Sequence, residues 1–124
     1  MTDFDLITNY LCNVYIGKDT SYAVNNLSED YLCHCSSGTK NKAETIALIK
    51  KYIKKHPVYS ITYSVESNDE DKIALCVYFQ CREKEKFLGF TFGENDRIYK
   101  HIRSFKVKNG MITESWEELA EEEY

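Results

Sequence analysis

A chain of 124 residues with 43% hydrophobic and 29% charged content predicts one folded domain that buries a core without disulfide or metal staples. Its net charge of −4 is concentrated in five glutamates between Glu117 and Glu123; the rest of the chain sets 16 basic residues against 15 acidic ones, which excludes a basic nucleic-acid surface. One proline and five glycines exclude a disordered chain, and no stretch approaches the ~20 apolar residues of a membrane helix.

Leu6, Ile7, Tyr10, Leu11, Val14 and Tyr15 recur at three-to-four spacing, so residues 5–17 are predicted as an amphipathic helix. Thr2 and Asp5 form a capping-box pattern before it, and Gly17 is expected to stop it in the left-handed conformation. A shorter helix starts at Asp19 or Thr20 and carries Tyr22, Ala23 and Leu27 inward. "EDYLCHC" suits a short strand and "SSGT" a turn. Asn41 and Glu44 make a second capping box for a helix with Ile46, Ile49 and Ile53 on one side, Leu48 and Tyr52 flanking, and Lys50, Lys51, Lys54 and Lys55 opposite. His56-Pro57 ends it, because the residue before proline is pushed out of the helical region.

The period then changes. "VYSITYSVES" alternates as a half-buried strand, "NDED" turns, and "KIALCVYFQCRE" is apolar on both faces, as a covered central strand is. "KFLGFTF" is predicted as a third strand with "GEND" as its turn, "RIYKHIRSFKV" as a fourth, and "MITESWEEL" as a fifth after the turn "KNG". The acidic end from about residue 117 is expected as a frayed or helical tail. Segregated helices followed by meander strands define an α+β fold.

Two stretches, "LSEDYLCHCSSGTKNKAETIALIKKY" and "IRSFKVKNGMITESWEEL", resemble the polyketide-cyclase-like (SnoaL-like) branch of the nuclear transport factor 2-like superfamily. The matching residues are Asp30, Tyr31 and His34, then Phe105, Val107, Asn109, Gly110, Ile112, Glu114 and Trp116. The element order matches over nearly the whole chain. The resemblance implies a single domain over residues 1–124: a cone-shaped curved antiparallel sheet wrapped around three N-terminal helices, the cystatin-like α+β roll. It further implies one pocket at the wide end and an outer sheet face that often makes a dimer.

Cys33-His34-Cys35 is not a metal site by geometry. Strand neighbours point to opposite faces, so three adjacent residues cannot converge on one ion. Both cysteines are then small apolar fillers. His34 would enter the pocket if the resemblance holds, as an acid or base or as a hydrogen-bonded wall. Alternation puts His101, Arg103, Phe105 and Val107 on one face and Ile102, Ser104 and Lys106 on the other. Relatives commonly carry an acid where Arg103 stands; a permanent cation there speaks against cyclase chemistry and for an anionic or carbonyl oxygen. Alternatively Arg103 pairs with an internal carboxylate such as Glu114. Glu114 and Trp116 are expected to share a face.

The expected function is a small-molecule pocket protein, binding a small hydrophobic or anionic molecule or performing acid–base chemistry of the isomerase, cyclase or dehydratase type. His34 and Arg103 are the catalytic candidates, with His101, Glu114 and Trp116 completing the pocket. The alternative is a non-catalytic dimeric module using the outer sheet face around Ile102. An open, polar-lined interior would favour the first and a ring-filled one the second. Five cysteines without a Cys-x-x-Cys pair and an N-terminus without a basic, apolar leader pattern lead to the expectation of a cytoplasmic homodimer with no metal, cofactor, nucleic-acid or membrane partner.

Overall fold

The computed structural model describes residues 2–69, 72–88 and 90–123. Helix α1 (Asp3–Leu11) begins at the expected capping box: Thr2 Oγ1 accepts from the Asp5 amide at 3.1 Å, and the Asp5 carboxylate accepts from the Thr2 amide at 3.0 Å. It continues as a π-helical turn, Cys12–Ile16, which keeps Val14 and Tyr15 buried beside Leu6, Ile7, Tyr10 and Leu11. Gly17 ends it for a reason other than the one expected. Its φ of −73° is ordinary, but a Cβ there would lie 2.7 Å from the Asn13 carbonyl oxygen, so only glycine fits.

Helix α2 (Thr20–Asn26) is capped by Asp19, and Leu27 opens strand β1 (Leu27–Cys35) instead of closing the helix. The predicted "SSGT" turn is shorter than expected, because Gly38–Asn41 forms a small strand, β2. Helix α3 (Lys42–Lys55) starts at the Asn41–Glu44 capping box and buries Thr45, Ile49 and Ile53, with Lys50, Lys51, Lys54 and Lys55 in solvent.

Four strands follow where five were expected: β3 (Val58–Asp69), β4 (Lys72–Phe87), β5 (Phe90–Lys108) and β6 (Met111–Glu123). "KFLGFTF" straddles the β4–β5 turn, with Phe87 paired to Phe90, and "GEND" lies within β5. Part of the predicted "NDED" turn, residues 70 and 71, lies outside the described residues. Asn109 and Gly110 take φ of 54° and 74° in the β5–β6 turn, the two positive values that a type I′ hairpin requires. The acidic end is not a helical tail: β6 runs to Glu123 and pairs it with Tyr99.

The sheet order is β2-β1-β6-β5-β4-β3. All pairings are antiparallel except β1 with β6, which is parallel, so the sheet is mixed and not wholly antiparallel as expected. Helices cover the inner face. There Leu75, Val77, Phe79 and Cys81 of β4 and Phe105 of β5 meet Tyr10, Tyr15 and Ile49 in one core. Rings fill much of it: Tyr15 lies 4.8 Å from Phe79, and Tyr10 lies 6.3 Å from Phe105. Each such large apolar side chain contributes about 1.5–3 kcal/mol when taken out of water.

Candidate functional site

Alternation along β5 holds: His101, Arg103 and Phe105 are buried on the inner face, while Ile102 is 46% exposed on the outer one. Arg103 is 1% exposed and is, among the described residues, the largest fully buried side chain. Its guanidinium lies 4.8 Å from the Tyr15 ring and 5.3 Å from the Phe79 ring. Its carboxylate partner is Glu117, not Glu114: Nη1 stands 3.6 Å from Glu117 Oε1. That is ion-pair contact beyond hydrogen-bond reach, and neither Nε nor Nη1 has a hydrogen-bond partner. Burial disfavours the cation, but Glu117, Tyr15 and Tyr10 outweigh it and hold Arg103 charged.

A cavity of about 40 Å³ adjoins this guanidinium, between α3 and the inner face of β1. Thr45, Ile49 and Tyr52 of α3, Cys33 and Cys35 of β1, and Glu117 line it together with Tyr15, Leu48 and Arg103. The Thr45 hydroxyl is also buried and unpartnered. The space exceeds what one water needs, and the site is polar enough to hold it. Burial raises the Cys33 thiol to about 11 and the Tyr15 hydroxyl to about 12, so neither supplies a ready anion.

His101 lies deeper, between the Phe79 ring at 4.5 Å and the Tyr52 ring at 5.6 Å. Its Nε2 is hydrogen-bonded to the Tyr52 hydroxyl at 3.1 Å, and its Nδ1 is unpartnered. Burial, then the charge of Arg103, lower its pKa to about 2, so it is neutral and a weak base.

The other predicted site residues lie elsewhere. Tyr31 and Cys33 occupy the inner face of β1, which sends His34 to the outer face. There His34 Nε2 pairs with Glu114 Oε2 at 2.5 Å, and its ring stacks on Trp116 at 5.4 Å. The Lys72 ammonium sits 3.9 Å from the Trp116 ring. His34 and Arg103 therefore cannot act on one substrate atom. The misplacement has a cause in β6: a register shift opposite Lys106 and Val107 breaks strict alternation, leaving Ile112 buried while Glu114 and Trp116 turn outward with Ser115 and Glu117 inward. Inside, Ser115 is hydrogen-bonded to Tyr31 at 2.5 Å.

Glu117, Thr45 and a second polar cluster are not expected from the sequence. His56, read as a helix stop, bonds the Glu83 carboxylate through Nδ1. The same carboxylate accepts from the Tyr99 hydroxyl at 2.7 Å and faces Arg97 Nε at 3.1 Å. Burial raises the Glu83 pKa, but the bonds from His56 and Tyr99 prevail and lower it overall. Thr45 had a signal available, since it precedes Ile49 by four residues on the buried side of α3. A larger groove of about 370 Å³ is lined by Thr2, Phe4, Asp69, Lys72, Ile73, Phe105 and Val107, none of them a candidate site residue. Among the described residues no group of three His, Cys, Asp or Glu side chains is placed to hold a metal ion. Among the described residues no helix is long and apolar enough to cross a membrane.

No protein-family model matches the sequence, and no curated protein matches it by sequence. Solved structures do match its shape. IdmH of Streptomyces antibioticus, a proposed polyketide cyclase, superposes with a TM-score of 0.73 at 14% identity, over 94% of this chain and 91% of its own. A SnoaL-like polyketide cyclase of Agrobacterium tumefaciens gives 0.70 at 13%, over 98% and 93%. AclR of Streptomyces galilaeus, a proposed hydroxylase, gives 0.71 at 17%, over 92% and 85%. Likeness at such identity is a likeness of fold. Three helices on an unclosed, curved, six-stranded mixed sheet give this chain the SnoaL-like form of the nuclear transport factor 2-like fold.

Proposed function

We propose that this chain binds a small molecule whose polar head is received by Arg103 in the cavity between α3 and β1, and that it binds without turnover. The observation that carries the reading is the pair of buried Arg103 N–H groups, Nε and Nη1, that lack a hydrogen-bond partner in the wall of this cavity. A buried donor left unpaired costs about 1–3 kcal/mol, which an acceptor entering the cavity restores. Acid–base chemistry has less support. The imidazole nearest Arg103 is His101, whose pKa of about 2 makes it a poor proton acceptor. A thermal-shift and NMR screen of small oxygenated compounds tests this: hits should perturb the Thr45 and Arg103 side chains. Hits that perturb only the outer sheet face would contradict it.

A second reading, a homodimer through the outer sheet face, draws on exposed Leu32 and Ile102 on the same side as Trp116. Sedimentation of wild type and Ile102→Asp tests it. A monomer at all concentrations rejects the dimer, and a wild-type dimer that dissociates on substitution supports it.

A further inference from the structure

The cavity beside Arg103 carries more information than its location, because its polar groups are of unequal number and sign. This step rests on the reading of that cavity as a ligand site, and it concerns which ligand and by which route. Arg103 already faces a carboxylate, with Glu117 Oε1 3.6 Å from Nη1 and both residues buried. The charge of the guanidinium is thus spoken for, and Tyr15 takes part of its hydrogen-bonding capacity, whereas Nε and Nη1 remain without acceptors. Thr45 Oγ1, which can donate or accept, is likewise without a partner in the same wall. A ligand carboxylate would satisfy these donors but leave a second negative charge in a buried pocket with one cation, and an excess buried charge is strongly disfavoured. A neutral oxygen satisfies the same donors and adds no charge.

The route follows from exposure. The inner wall is sealed, since Tyr15, Cys33, Ile49 and Arg103 are all buried. The rim is not: Leu48 is 42% exposed, and Cys35 and Tyr52 are partly exposed. The apolar rim of α3 and β1 therefore faces solvent beside the polar end. We infer that an uncharged molecule with a carbonyl or amide head and a slim apolar tail reaches Arg103 and Thr45 sideways, between Leu48 of α3 and Cys35 of β1. The volume of about 40 Å³ admits the head alone, so the tail lies along Leu48 and Tyr52.

The test compares hexanamide with its charged isostere hexanoate by NMR titration of the full chain near neutral pH, with hexylamine as the cationic control. Hexanamide should bind at least about tenfold more tightly than hexanoate. Thr45→Val, which keeps the side-chain shape, should weaken hexanamide about fivefold, and Leu48→Trp at the exposed rim should abolish its binding while the protein remains folded by circular dichroism. Hexanoate binding as tightly as hexanamide would overturn the neutral-head assignment while leaving the cavity a ligand site. Undiminished hexanamide binding by Leu48→Trp would overturn the side route on the same terms. Hexylamine binding more tightly than both would also overturn the neutral-head assignment. If none of the three probes shifts Thr45 or Arg103, both the inference and the ligand-site reading fall.

Discussion

Arg103 and Glu117 form a buried ion pair across adjacent strands, register partners on β5 and β6 with Nη1 and Oε1 3.6 Å apart. Both point to the helix-facing side, so each is the other's principal compensation for leaving water. Removing one partner strands a charge, at a cost of about 3–5 kcal/mol. Arg103→Met should therefore lower unfolding free energy by about that much, and Arg103→Met combined with Glu117→Leu should recover most of the loss. Urea denaturation of the two variants checks this; a single variant within about 1 kcal/mol of wild type would show the pair to be unimportant.

His101 makes stability depend on pH. Its folded pKa is about 2 against an ordinary 6.5, with burial and then Arg103 as the causes. A depressed pKa means that the unfolded chain holds the proton which the folded chain refuses. The associated stability is complete above the ordinary value and declines as pH falls below it, by about 1.4 kcal/mol per pH unit. Between about pH 7 and pH 5, wild type should lose about 2 kcal/mol more than His101→Gln, in which this proton is absent. Equal losses in parallel urea titrations would contradict the burial of a neutral imidazole.

The outer-face pair behaves differently. His34 and Glu114 retain side-chain exposures of 33% and 28%, so solvent screens their contact. A double-mutant cycle with His34→Ala and Glu114→Gln should give a coupling of no more than about 1 kcal/mol. Ligand binding in the cavity should be unchanged in both variants. A loss of binding in His34→Ala would return His34 to the site.

Gly17→Ala places a Cβ 2.7 Å from the Asn13 carbonyl oxygen at the end of the π-helical turn. The backbone there has to shift, and a cost of about 1–3 kcal/mol is expected, as for other overpacked positions. Thermal or urea melts report it, and a neutral or stabilising substitution would show that the turn relaxes freely.

Much of this was legible in the sequence because it rests on local rules. The Thr2–Asp5 and Asn41–Glu44 boxes cap helices as their spacing dictates, and alternation along "HIRSF" correctly sends His101 and Arg103 inward. What was not legible depends on partners distant in sequence. Nothing in "LCHC" says which face meets the helices; the burial of Tyr31 decides it, and Tyr31 is held by Ser115, 84 residues away. Glu114 and Trp116 share a face as expected, but the irregular pairing near Thr113 turns that face outward. Glu117 was assigned to a tail because it opens an acidic run, whereas its register opposite Arg103 makes it the internal counter-charge.

The central claim is that the Arg103 donors await an acceptor supplied from outside the protein chain. A high-resolution crystal structure of the protein purified without added ligand tests it most directly. Ordered density, a water or a trapped molecule, within hydrogen-bond distance of Arg103 Nε or Nη1 and of Thr45 Oγ1 is the predicted result. A dry, collapsed cavity, with both donors satisfied by side chains of the protein itself, would contradict it.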